Sequence, residues 1–234
     1  MMKFNEKVNI VTDCDEVLTD ISPLWLQKIF NNKKYFSRYY NLPEKYNYKT
    51  EEGYKYALSR PIFYMDDWLL KKDIKLSEKE SKELFQRFYS LYDNNDFYAE
   101  CEPTKMCEGI FKLTLQKYIN KVYILTRTTD GSREGKEKFL KTFLNSPKVE
   151  IIFVGKDEKK SDYINKIDNV RMIVEDELTN INDILDNCPN LKECDFFVPY
   201  TGYNDPNAEL FNKADKKKIK LLYYPIFEET EIAI

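Results

Sequence analysis

The sequence predicts an α/β protein: a doubly wound, mainly parallel sheet with an inserted, mostly α-helical cap. Two observations carry that expectation. Short apolar runs rich in Val, Ile, Leu, Phe and Tyr alternate with amphipathic stretches through the second half of the 234-residue chain, as buried parallel strands and their covering helices do. In addition, 113 residues separate the ends of the first two strands, Asp13 and Thr126. A parallel crossover needs only about a dozen.

The first strand is expected at 8–12, VNIVT, and most of the chain between it and the second strand must be insertion. Residues 21–102 are the expected cap. Within it, Ser77 and Glu80 form a capping box opening a helix whose Leu84, Phe85, Phe88, Tyr89 and Tyr92 make one apolar face. Residues 103–120 supply the crossover helix. Further strands are expected at 121–126, 149–154, 170–175, 194–198 and 219–224, with helices at 132–145, 159–168, 178–187 and 205–217. The core domain is then 1–20 joined to 103–234.

Composition narrows the chemistry. A hydrophobic content of 42% is enough for a sizeable core, while six glycines, nine prolines and no Ser/Gly/Pro tract argue against linkers and low-complexity tails. The opening MMKFNEKVNI lacks the apolar core of a signal peptide, and charges interrupt every apolar run well short of a membrane span, so a soluble, cytoplasmic protein with no membrane partner is expected. Five cysteines without a CxxC pair point to reduced, buried thiols. There is no histidine. That excludes imidazole bases and histidine-ligated metals, leaving acid-base work to carboxylates and lysines. The net charge of -3 argues against general nucleic-acid binding.

In a doubly wound sheet, ligands sit at the carboxyl ends of the strands near the switch in strand order. The first strand ends in DCDEVLT with Asp13 and Asp15, and the second in Thr126 followed by Arg127. The third runs into GKDEKKSD, and the fourth stops at Glu175 and Asp176. Asp13, ionised at neutral pH, can attack phosphorus without a base to activate it. Asp15 projects to the same side if the backbone stays extended, where it can protonate a leaving oxygen and later deprotonate water. Several carboxylates beside a phosphate dianion repel it, and Mg2+ resolves this by taking oxygen ligands from both. Each residue alone is more simply a turn former, strand residue or helix cap. Their order across four strand ends singles them out.

That order resembles the haloacid dehalogenase (HAD) superfamily of phosphohydrolases. DCDEVLT matches its Asp-x-Asp motif at Asp13, Asp15, Val17, Leu18 and Thr19, and Thr126, a lysine and the Glu175-Asp176 pair come after it in the family's order. The resemblance implies a Rossmannoid core and a Mg2+-dependent phosphatase working through an aspartyl-phosphate on Asp13. It places the metal on Asp13, the backbone carbonyl of Asp15 and Asp176, with Glu175 adjoining. Thr126, Arg127, Lys160 and Lys156 are the phosphate-binding candidates, and Lys159 is a further rival for the lysine role. Glu16 departs from the glycine often found at its position in the family.

The insertion is aromatic. Of 35 Phe, Tyr and Trp residues, 19 fall between Trp25 and Tyr98. Most must form a subdomain core, but the tyrosines of 39–68 exceed what packing needs and suit stacking on a planar ligand. In kind this is similar to the caps of the superfamily's deoxyribonucleotidases, which implies a small phosphorylated substrate, a nucleoside monophosphate. The rivals are a sugar-phosphate or polynucleotide-end phosphatase, and a non-catalytic phosphate-binding protein. Other motifs fail: GSREGKEK lacks Walker spacing, DNNDFYAE lacks a calcium loop's glycine, and ADKKKIK reads as a solvated helix end.

Overall fold

The computed structural model describes residues 7–204, 206 and 208–225. Six strands, β1 (Val8–Thr12), β2 (Ile119–Arg127), β3 (Val149–Val154), β4 (Val170–Val174), β5 (Asp195–Tyr200) and β6 (Lys220–Pro225), form one sheet. Its order is β3-β2-β1-β4-β5-β6 and every pairing is parallel. The chain winds outward from β1 through β2 to β3, then returns to the other side of β1 for β4. The switch point therefore lies at the carboxyl end of β1. All five residues of β1 are buried, as its central position requires.

Ten helices occur in chain order among the described residues: α1 (Ile21–Asn31), α2 (Lys33–Phe36), α3 (Glu51–Leu58), α4 (Met65–Leu69), α5 (Glu78–Ser90), α6 (Lys105–Thr114), α7 (Arg133–Phe143), α8 (Lys160–Ile164), α9 (Leu178–Asn187) and α10 (Ala208–Lys216). Alternation along the strands divides the core. Val11, Leu125 and Ile173 face α9 and α10 through Ile181, Ile184, Leu210 and Ala214. Ile10, Val122 and Ile124 face α6 and α7 on the other side, through Ile110, Leu113, Phe139 and Leu140.

The insertion carries α1–α5, and its apolar interior is continuous with that second face. Trp25 of α1 sits 4.9 Å from Phe88 of α5 and 5.1 Å from Tyr92, while its Nε1 donates to the Phe88 carbonyl at 3.2 Å. Side-chain caps start several of the helices. The Ser77–Glu80 capping box is formed, and Thr50 and Thr104 accept bonds from Gly53 N and Cys107 N to open α3 and α6, each such cap contributing about 1 kcal/mol. Two glycines let the insertion press against the core, one in the first turn of α7 and one just after β5. A Cβ at Gly202 would lie 2.3 Å from the Ser59 carbonyl oxygen, and one at Gly135 would lie 2.1 Å from that of Asn95.

Several expectations need correction. Phe85 does not join the apolar face of α5: one residue beyond Leu84 it turns about 100° around the helix and is 54% exposed, against Tyr89. The helix expected at 159–168 spans only Lys160–Ile164, because Asn165 closes it and donates to the Asn187 carbonyl. Strand β2 runs longer than 121–126, since its ladder with β3 continues to Arg127 opposite Val154. The expected helix at 205–217 begins on residues 205 and 207, which lie outside the described residues. All five cysteines are buried and free. Among the described residues no helix is long and apolar enough to cross a membrane.

Candidate active site

Sheet register brings the first set of residues together. Thr12 pairs with Ile124 and Val174, so Asp13, Thr126 and Glu175 emerge at one edge, and Asp13 N donates to the Val174 carbonyl at 2.9 Å. Lys160, at the start of α8, reaches in from the crossover between β3 and β4. Its Nζ lies 2.9 Å from Asp13 Oδ2 and 2.7 Å from Glu175 Oε2. Asp13 Oδ1 accepts from Cys14 N at 2.7 Å, and Glu175 Oε1 accepts from Asn180 Nδ2 and Glu177 N, both at 3.2 Å. Tyr203 donates to Asp176 Oδ2 at 2.6 Å, and Asn204 fixes the Asp176 carbonyl.

Asp13, Glu175 and Asp176 each offer a carboxylate oxygen, all within 4.8 Å of one another. Burial pushes Glu175 up to about 7, with Lys160 opposing and Asp13 reinforcing the shift. Asp176 is also raised, by burial and then by Glu175 and Asp13. Burial alone would lower the Lys160 ammonium, but Asp13 and Glu175 outweigh it and hold it charged. Three oxygen donors with surplus negative charge fit a hard divalent cation such as Mg2+.

Asp15 faces different partners. Its Oδ2 takes bonds from Lys136 Nζ at 2.9 Å and Tyr92 OH at 3.0 Å, and its Oδ1 from Tyr98 OH at 2.8 Å. Lys136 is completely buried and also reaches the Arg127 carbonyl at 2.5 Å and Thr126 Oγ1 at 3.3 Å. Burial lowers its ammonium and Asp15 more than restores it, while burial raises the Tyr98 hydroxyl well above its ordinary value.

A cleft of about 310 Å³ joins these groups, lined by Asp13, Asp15, Thr126, Arg127, Lys160 and Asp176 on the sheet side. Arg127 sits at its rim, donating to Asn180 Oδ1 and the Glu158 carbonyl. Lys156 does not reach it: the loop after β3 is closed by Glu158 accepting from Gly155 N, which leaves Lys156 in solvent. Lys159 is also turned away, 3.4 Å from Asp183. Of the three lysines considered, Lys160 alone enters.

The insertion supplies the opposite wall through Trp25, Phe63, Tyr64, Tyr89 and Tyr92, together with Arg60. From the tyrosine-rich stretch 39–68 only Phe63 and Tyr64 line the cleft among its aromatics, while Tyr40 and Tyr46 are buried in the core. Glu16 adopts φ 57°, the left-handed region that favours glycine. Its Oε1 accepts from Ser22 N at 2.8 Å and from Ser22 Oγ.

Sequence reasoning missed Lys136, Tyr98, Arg60, Tyr203 and Asn180. Only Lys136 left a signal. It stands three and four residues before Phe139 and Leu140, a core position on an amphipathic helix that a lysine occupies only with a buried partner.

No family model matches the chain, and no curated protein matches it. Solved structures do. A candidate phosphatase from Clostridium difficile is 13% identical, covering 93% of this chain and 95% of its own with a TM-score of 0.53. A HAD-superfamily hydrolase of subfamily IA from Geobacter sulfurreducens is 12% identical over 88% of this chain and 98% of that one, with a TM-score of 0.48. A haloacid dehalogenase-like protein from Agrobacterium tumefaciens is 14% identical, covering 92% of each chain, with a TM-score of 0.48. At these identities the likeness is one of fold. The doubly wound parallel sheet expected from the sequence is the fold observed, and the Clostridium difficile structure has a similar fold.

Proposed function

We propose that this chain is a Mg2+-dependent phosphatase hydrolysing a small phosphomonoester, a nucleoside monophosphate, through an aspartyl-phosphate on Asp13. The carrying observation is the position of Asp13: at the switch point of the sheet, open to the cleft, bonded through Oδ2 to Lys160, with Asp15 lining the same cleft. In this reading an Asp13 oxygen forms a bond to phosphorus as the bond to the leaving oxygen breaks, and Asp15, having first taken up a proton from solvent, passes that proton to the leaving oxygen. Asp15 then takes a proton from water, which attacks phosphorus, releases phosphate and restores the Asp13 carboxylate. Lys136, Tyr92 and Tyr98 hold the Asp15 carboxylate in one orientation throughout. Thr126 and Lys160 hold the non-bridging phosphoryl oxygens, with Arg127 at the rim.

Asp13, Asp176 and the Asp15 backbone carbonyl would hold the metal, with Glu175 alongside. Bound there, Mg2+ neutralises charge between carboxylates and phosphate. Residues 21–102 act as the cap over a core of 1–20 and 103–234, and the aromatic wall receives the base. The test is a panel of nucleoside monophosphates, hexose phosphates and a 3′-phosphorylated oligonucleotide, assayed with Mg2+ and with excess chelator. Turnover that favours the nucleotides and disappears on chelation is expected. Preference for the sugars or the oligonucleotide replaces the substrate class, and full activity in chelator removes the metal.

A further inference from the structure

Glu16 is 4% exposed and lines the cleft, yet its Oε2 has no hydrogen-bond partner. Arg60, 3% exposed, lines it too. The Arg60 guanidinium stacks 4.5 Å from the Tyr203 ring and donates from Nε and Nη1 to the carbonyls of Phe63 and Ala57, at 3.1 and 3.2 Å. Its Nη2 stands 4.0 Å from Glu16 Oε1, too far for a hydrogen bond. A buried acceptor without a partner thus stands on the wall of the cleft, beside a guanidinium that pairs with Glu16 only at the length of a loose ion pair.

Support of α1 does not explain the pair. Capping through Ser22 uses only Glu16 Oε1, and Asp20, at the N-cap position, makes no side-chain cap bond. Glycine would suit the backbone at φ 57° better. Charge narrows the ligand: an anion there is repelled by Glu16, and a cation by Arg60. A neutral hydroxyl can donate to one and accept from the other at once.

We propose that Glu16 and Arg60 together read a sugar hydroxyl on the substrate's leaving group, a specificity element that rests on the phosphatase reading above. The test compares kcat/KM for a ribonucleoside 5′-monophosphate with that for its 2′,3′-dideoxy analogue, both measured on one preparation so that any unfolded fraction cancels from the ratio. The wild-type protein should prefer the hydroxylated substrate by about 10–100-fold. In Glu16→Gly, where the backbone suits the new residue, the ratio should fall to near one, and Arg60→Met should lower it in the same direction. A wild-type ratio near one, or a ratio preserved in Glu16→Gly, overturns the proposal while leaving the phosphatase reading intact. Absence of turnover across all phosphomonoesters overturns both.

Discussion

Asp13 and Asp15 are two residues apart and occupy opposite electrostatic settings. Asp13 shares Lys160 with Glu175, and the Asp176 carboxyl stands beside them, so three carboxyl groups crowd a single ammonium. Asp15 faces Lys136 and two hydroxyls, −1 + 1 = 0. The first region has more carboxyl groups than cations, and the second pairs one carboxylate with one ammonium. In the proposed reaction the difference separates roles: the first carboxylate meets a metal and a phosphate, and the second is held in place. The first region is made by strand ends, whereas the second needs α7 and the end of the insertion.

The largest break in that comparison comes from Asp13→Asn. The amide cannot form the acyl-phosphate, so kcat should fall by about 10⁴-fold or more with the fold retained. Asp15→Asn should also be severely impaired, yet still accept phosphate on Asp13, visible as a phosphoryl adduct in intact mass. Wild-type turnover by Asp13→Asn, in a preparation free of host phosphatase, removes the division of labour.

Next is Lys136→Met, which strands the Asp15 charge among buried groups. Removing one partner of a buried pair costs about 3–5 kcal/mol. Asp15 is 21% exposed, so the low end, about 3 kcal/mol by urea unfolding, is expected. Adding Asp15→Asn to Lys136→Met should recover part of that loss, since the stranded charge goes. If Lys136→Met is as stable as wild type, the second region is not the closed unit described.

The two regions also differ in how far the sequence disclosed them. Asp13, Thr126, Glu175 and Asp176 were legible because each ends a strand, and a parallel sheet places consecutive strand ends side by side. Lys160 could not be told from Lys156 and Lys159, since the choice depends on where the loop after β3 closes, through Glu158 and Gly155. Tyr98 and Arg60 had no local signal at all. Their partners, Asp15 and Glu16, are 83 and 44 residues away in sequence, and only the packing of the insertion brings them together. The aromatic excess at 39–68 marked a stretch of which only Phe63 and Tyr64 line the cleft among its rings, because composition does not say which rings face inward.

A third effect probes the charge imbalance around Asp13 without mutation. Burial raises Glu175 from 4.5 to about 7, and Asp176 moves the same way. The folded, metal-free protein therefore binds more protons than the unfolded chain across that interval. This contribution to stability is fully present below about 4.5 and is lost as the pH rises through about 7, on the order of 3 kcal/mol. Tm in chelator should fall between pH 5 and pH 7.5, Mg2+ should raise it more at pH 7.5, and Glu175→Gln should flatten the slope. Equal stabilisation by Mg2+ at both pH values would show that the cation binds elsewhere.

The smallest effect concerns Phe63 and Tyr64, the part of the insertion wall that, unlike Tyr92, is not bonded to Asp15. Tyr64 is 58% exposed and lines the cleft at an edge-on contact with Phe63, 5.3 Å between centroids, which in turn meets Tyr203 at 5.4 Å. That chain of rings runs from solvent to the residue holding Asp176. Stacking of a base on an aromatic ring contributes about 1–3 kcal/mol, and so exposed a ring belongs at the low end. Tyr64→Ala should therefore reduce the preference for a nucleoside monophosphate over a hexose phosphate by about fivefold, measured as a ratio of kcat/KM values on one preparation. Tyr64→Phe should keep most of it, because the ring face rather than the hydroxyl makes the contact. A ratio unmoved by Tyr64→Ala means that the base does not stack on this ring, and the aromatic wall then serves the core alone.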